Sequence, residues 1–155
     1  MTYDGNKKRR GRKQALATDT LGLIHAVDLL PAGRSDRVAG MRLLEQIAER
    51  RNPRLSAILA DKGFDSPLLH ARAAALETAL YIGAMPNLPA LPAVTTGINT
   101  GFRVIPLRWH VEQTNAWLSS CRRLNREHER TTASRTTFVW IAAARIALKR
   151  IAAGP

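Results

Sequence analysis

The chain has 155 residues, 45% of them hydrophobic, with 24 Lys and Arg against 12 Asp and Glu and a net charge of +12. That length and composition suit one domain with a sizeable core and exclude a wholly disordered chain. Cys121 is the sole cysteine, so an intrachain disulfide is excluded and a reducing cytoplasm is expected.

The positive charge is concentrated at the two ends. Lys7, Lys8, Arg9, Arg10, Arg12 and Lys13 face only Asp4 in the first stretch. Residues 103–155 carry ten basic side chains against Glu112, Glu127 and Glu129, whereas 14–102 is balanced. Such clustering points to a polyanion, most commonly nucleic acid. The plainer alternative is a basic tail with solvated helix faces. No apolar leader follows the charged N-terminus, and the most apolar stretch, Phe138 to Ile151, is interrupted by Arg145. Neither a secretion signal nor a membrane span is expected.

In chain order, residues 1–13 read as a basic segment and 14–155 as one domain. Gln14–Thr20 and Leu23–Leu30 read as a hairpin around Thr20-Leu21-Gly22, ended by Pro31-Ala32-Gly33. Ser35 or Asp36 caps a helix to about Arg50, with Val38, Met41, Leu44, Ile47 and Ala48 at helical spacing. Leu55–Ala60 is a short buried strand, Ser66-Pro67 opens a helix to about Leu76, and Ala79–Gly83 is another strand. Residues 84–106, with four prolines and two glycines, form a long loop. From Leu107 a helix carries Val111, Thr114, Leu118, Cys121 and Leu124 on one face. Arg108, Glu112, Asn115, Ser119, Arg122 and Arg126 form the neighbouring stripe. Thr132 or Ser134 caps a last helix, apolar on several sides and expected to be largely buried. The order predicts an α/β domain with a mixed sheet flanked by helices.

Two acids stand where chemistry is expected. Asp61 follows a buried strand, at the strand end where α/β sheets bind ligands. A carboxylate there suits a hard divalent cation. The competing reading is that Asp61 or Asp65 caps the next helix. Glu112 shares its stripe with Arg108, Arg122 and Arg126, which fits a metal carboxylate beside phosphate-holding cations. The competing reading is a surface pair between Arg108 and Glu112. The His110-Val111-Glu112 run lacks the cysteine pair of zinc deaminases. His25, His70, His110 and His128 have no metal-ligand spacing. A basic RNA-associated protein would rest on charge alone, with only 5% aromatic residues for stacking.

Four blocks in order resemble bacterial insertion-sequence DDE transposases. They are Tyr3-Asp4-Gly5-Asn6-Lys7-Lys8 with Arg10-Gly11-Arg12-Lys13 and Asp19-Thr20-Leu21-Gly22-Leu23; Leu59-Ala60-Asp61-Lys62-Gly63-Phe64-Asp65; Leu107-Arg108-Trp109-His110-Val111-Glu112 with Asn115-Ala116-Trp117-Leu118 and Cys121-Arg122-Arg123-Leu124; and Glu129-Arg130-Thr131. The resemblance implies a ribonuclease-H-like core. In it, three carboxylates hold two Mg2+ or Mn2+ ions for in-line attack on a phosphodiester of double-stranded DNA, at transposon ends and target. It assigns the second catalytic Asp to Asp61 and the Glu to Glu112. Arg108 matches the arginine before that Glu, and Arg12 and Lys13 match a basic segment near DNA. The family's first Asp, upstream of the Tyr3 block on the first strand, is matched by no residue here. Gln14-Ala15, Ile105, Gln113 and Ser119 also depart from the family pattern. The resemblance therefore leads us to expect a partial ribonuclease-H-like fold with its first strand missing, in an N-terminally truncated copy that does not cleave DNA alone. A non-catalytic DNA-binding remnant is the alternative. A partly unpaired hairpin edge should then favour aggregation, or a partner such as the upstream half of a transposase or a second copy. The expected place of action is the bacterial cytoplasm, at the nucleoid.

Overall fold

A computed structural model describes residues 2–4, 9–50, 52–83 and 109–153, with 2–4, 9, 10 and 153 as backbone only. Three antiparallel strands come first: β1 (Thr2–Asp4), β2 (Arg9–Thr18) and β3 (Ile24–Pro31), in the order β1-β2-β3. β2 begins at Arg9, so the strand runs through the position where the basic segment was expected to give way to the domain. Asp19 makes the turn to β3, its Oδ1 accepting the N–H of Leu21 and of Leu23, each at 2.9 Å. Gly22 follows with φ +76°, a backbone region that side chains with a Cβ avoid.

The hairpin buries both faces. Ala15, Ala26 and Leu30 meet Ala39 and Leu43 of α1 (Asp36–Glu49). Val27 meets Leu118, Leu124, Val139 and Ala142 on the other side. The alternation of a strand makes this possible, since successive side chains point to opposite faces. Ser35 caps α1, accepting the N–H of Arg37 at 3.2 Å.

β4 (Ala57–Ala60) and β5 (Ala79–Ile82) form a separate two-stranded parallel sheet. A single 3-10 turn (Lys62–Phe64) and α2 (Pro67–Ala75) connect them. The expected single mixed sheet is thus two sheets, because no described strand joins β2 to β4. Helix α1 bridges them instead: Leu43 packs in the hairpin core, while Leu44 packs with Leu69 and Ala73.

α3 (Trp109–Ser119) is shorter than its apolar periodicity suggested. Ser120 Oγ donates to the Trp117 carbonyl at 2.7 Å, and the chain leaves the helix there. A serine bonding its own backbone competes with helical pairing. Leu124 is still buried, but from a turn. α4 (Thr132–Ala153) is capped one residue earlier than expected, by Thr131, whose Oγ1 accepts the Ser134 N–H at 3.1 Å. It is also far from largely buried. Val139 and Ala142 face the core, but Ile141, Leu148 and Ile151 are 59%, 66% and 77% exposed. One side of the hairpin accepts only one stripe of a helix, so the remaining apolar residues face outward. No described helix is long and apolar enough to cross a membrane. The loop expected at 84–106 lies outside the described residues.

Candidate active-site cleft and nucleic-acid interface

The two sheets face each other across a cleft of about 960 Å³. Residues of β2 and β4 form its walls, and Gly40, Leu43, Leu44 and Ile47 of α1 lie along it. Asp61 and Glu112, the two acids singled out in the sequence, both line this cleft. They arrive there from different elements. Asp61 leaves the end of β4, and Glu112 sits in the first turn of α3.

Local chemistry explains both placements. Asp61 precedes the 3-10 turn with extended backbone (φ −72°, ψ 159°), and its side chain makes no capping bond to that turn. The cap of α2 is Ser66, which accepts the Leu69 N–H at 3.2 Å, while Asp65 pairs with His70 at 3.2 Å. Helix capping is therefore not what places Asp61. Gly63 has a steric role: a Cβ there would lie 2.9 Å from Asp36 Oδ2. Helix α3 is fixed by Thr114, fully buried, whose Oγ1 lies 2.8 Å from the carbonyls of both Gly22 and His110. A Cβ at Gly22 would meet that oxygen at 3.0 Å, so the turn and the helix bearing Glu112 dock only through glycine.

Two further acids line the cleft and were not singled out by sequence reasoning. Asp19 is committed to its turn and lies 3.4 Å from His25 Nε2. Asp36 pairs with Lys13 at 2.6 Å. Asp61 and Glu112 are exposed, and no described residue pairs with the Glu112 carboxylate. Carboxylate oxygens suit Mg2+ or Mn2+. Among the described residues no three His, Cys, Asp or Glu side chains are grouped to hold a metal ion.

The basic residues divide into distinct groups. Arg12 is turned inward, its side chain only 13% exposed. Nη1 donates to Glu127 Oε1 at 3.1 Å and to the Glu129 carbonyl at 2.9 Å, and Nη2 donates to the Arg130 carbonyl at 2.6 Å. Lys13 is engaged by Asp36. Arg122 and Arg126 are exposed but lie in the turns after α3, not on the Glu112 stripe, and neither lines the cleft. Lys7, Lys8 and Arg108 lie outside the described residues, and Arg9 and Arg10 are described only as backbone of β2.

Glu129 is the centre of a network that residue spacing did not reveal. Buried at 8% exposure, it accepts from Arg123 Nε at 2.7 Å and from the Ser134 hydroxyl. The Ser134 hydroxyl, then the Arg123 guanidinium, hold its carboxyl below the usual glutamate range against the opposing effect of burial. Its one sequence signal was the Glu129-Arg130-Thr131 block.

The family of transposase DDE domains matches residues 1–147. The chain belongs to that family. DNA transposition is the family's activity, DNA its substrate and a divalent metal its usual requirement. No curated protein and no solved structure matches the chain.

Proposed function

We propose that this chain serves metal-dependent DNA strand cleavage and transfer at insertion-sequence ends, with Asp61 and Glu112 as two of the carboxylates that hold Mg2+ or Mn2+. The observation that carries this reading is that both acids, placed by separate elements, line one cleft. When bound, a divalent ion there would polarise the scissile phosphate and help ionise the attacking hydroxyl or water. The chain's own contribution is to hold one carboxylate just after β4 and the other on α3, and to present arginines to phosphate. Arg122 and Arg126 are exposed and suited to that task, together with Lys7, Lys8, Arg9, Arg10 and Arg108 by their place in the sequence. Arg12 and Lys13 are instead engaged by acids and carbonyls of the domain itself.

A third carboxylate is matched by no residue of this sequence, and we infer that the chain alone binds DNA without cutting it. The test is a binding and cleavage assay on a duplex carrying the element's ends, with and without Mn2+, alongside Mn2+ titration. Expected are salt-sensitive binding, no cleavage, and Mn2+ affinity that falls on Asp61→Asn and on Glu112→Gln. Cleavage lost on Asp61→Ala would overturn the inference of inactivity. Mn2+ binding indifferent to both substitutions would favour a non-catalytic DNA-binding protein.

A further inference from the structure

Outside the cleft, a small pocket of about 220 Å³ lies between the turn after α3 and the middle of α4, and none of the residues that line it lines the cleft. Its apolar wall includes Leu124 and Ala142, both buried, and Ile141, which is exposed. Arg122, Arg123 and Arg145 also line it. The three arginines differ in what holds them. Arg122 and Arg145 are exposed, and among the described residues no acid pairs with either.

Arg123 is fixed in place. Its Nε and Nη2 each lie 2.7 Å from Glu129 Oε1, and Glu129 is itself buried and held by the Ser134 hydroxyl. The guanidinium carbon stands over the Phe138 ring, 4.9 Å from its centroid. Yet the Arg123 side chain remains 57% exposed. With Glu129 along one edge and the ring beneath, the exposed part faces away from both. A guanidinium is planar, weakly hydrated and stacks on π faces. Arg123 is therefore a preorganised flat platform with an open outer side. Aromatic residues are only 5% of the chain, but an arginine plane can take a base as an aromatic ring does.

We propose that this pocket binds one unpaired nucleotide of a DNA strand, with the base stacked on Arg123 and the phosphates held by Arg122 and Arg145. The ligand must combine a flat π face with negative charge, and a nucleotide carries both. A paired base is already stacked on both faces within the duplex, so only an unpaired one offers a free face. Drug-sized ligands occupy roughly 300–1,000 Å³, whereas about 220 Å³ suits a single ring system. Every base has a π face, so the pocket takes any sequence. It lies past the end of α3 remote from Glu112, roughly 10 Å along the helix at ~1.5 Å per residue. The pocket thus grips a strand at a distance from the candidate metal carboxylates. It rests on the reading of the chain as DNA-binding, and adds a hold on the base to the contacts with phosphate.

The experiment compares the affinity of the full chain, without metal, for a short single-stranded oligothymidylate and for an abasic strand of the same length, across a salt series. The strand with bases should bind roughly tenfold more tightly, the usual scale of one base stacked on a side chain. The salt slopes should be equal, because both strands carry the same phosphates. Arg123→Lys keeps the charge and loses the plane. Ile141→Glu changes an exposed position, so it leaves the interior untouched, and places a carboxylate one helical turn from Arg145. Each variant should bind the two strands equally. Arg122→Ala should weaken both strands alike and keep the ratio between them. Equal affinity of the parent for both strands overturns the base pocket, and salt-sensitive binding in that case leaves the DNA-binding reading standing. Absence of binding to either strand and to duplex overturns both. A preference for bases that survives Ile141→Glu overturns the pocket by placing the stacking elsewhere. Displacement of the strand by free thymidine monophosphate at equal concentration also overturns it, since the site would then serve a free nucleotide.

Discussion

Arg12 and Glu127, 115 positions apart in the sequence, are joined at 3.1 Å, and the same guanidinium holds the carbonyls of Glu129 and Arg130. Strand β2 is thereby tied to the connector that leads into α4. Arg12→Ala should destabilise the fold by about 1.5–3 kcal/mol, the usual cost of losing hydrogen bonds to a charged group. Arg12→Lys should recover little, because an ammonium lacks the planar fork that reaches several carbonyls at once. Urea unfolding reads the effect. A variant as stable as the parent but weakened on DNA would mean that Arg12 contacts phosphate and is no clamp.

Glu129 gives the protein a predicted acid sensitivity. Its carboxyl is held below the ordinary range, first by the Ser134 hydroxyl and then by Arg123, so the folded state favours the ionised form. The resulting stability is present above the unfolded glutamate pKa of about 4.3 and is lost as pH falls through the lower folded value. Stability measured from neutral pH downward should therefore fall in that window. Glu129→Gln should flatten the fall there and lower stability at neutral pH, since a neutral amide makes no ion pair with Arg123. An unchanged acid limb in the variant would refute the assignment.

Arg122 and Arg126 are exposed in the turns after α3, where substitution leaves the core untouched. Each change to Ala should alter stability by no more than ~0.5 kcal/mol. If each neutralises one phosphate, each should also reduce the salt slope of duplex binding by about 0.9. Affinity measured across a salt series decides this. An unchanged slope in both variants would place the phosphate contacts elsewhere.

The local elements were largely legible. Apolar spacing and caps located α1, β4, α2 and β5 to within a few residues, because Ser35, Ser66 and Pro67 are strong local punctuation. Where periodicity was followed too far, local chemistry intervened. Ser120 ended α3 within an unbroken apolar face, and α4 proved apolar on more sides than the hairpin could cover.

The site was legible only in part. Asp61 and Glu112 were singled out as candidates by their sequence blocks and positions, and both line one cleft. The basic residues could not be sorted by sequence, because a charge has no direction until it is folded: Arg12 and Lys13 turned to acids and carbonyls, whereas Arg122 and Arg126 stayed exposed.

The sequence by itself determined most of the helices and strands, the two candidate acids and the basic ends, since propensity, capping and charge act over a few residues. Only the tertiary structure decided that the described strands divide into two sheets. It alone placed Arg12 on Glu127 and Glu129 between Arg123 and Ser134. Those relationships join residues distant in the chain, and main-chain pairing and side-chain direction acquire partners only when such segments are packed together.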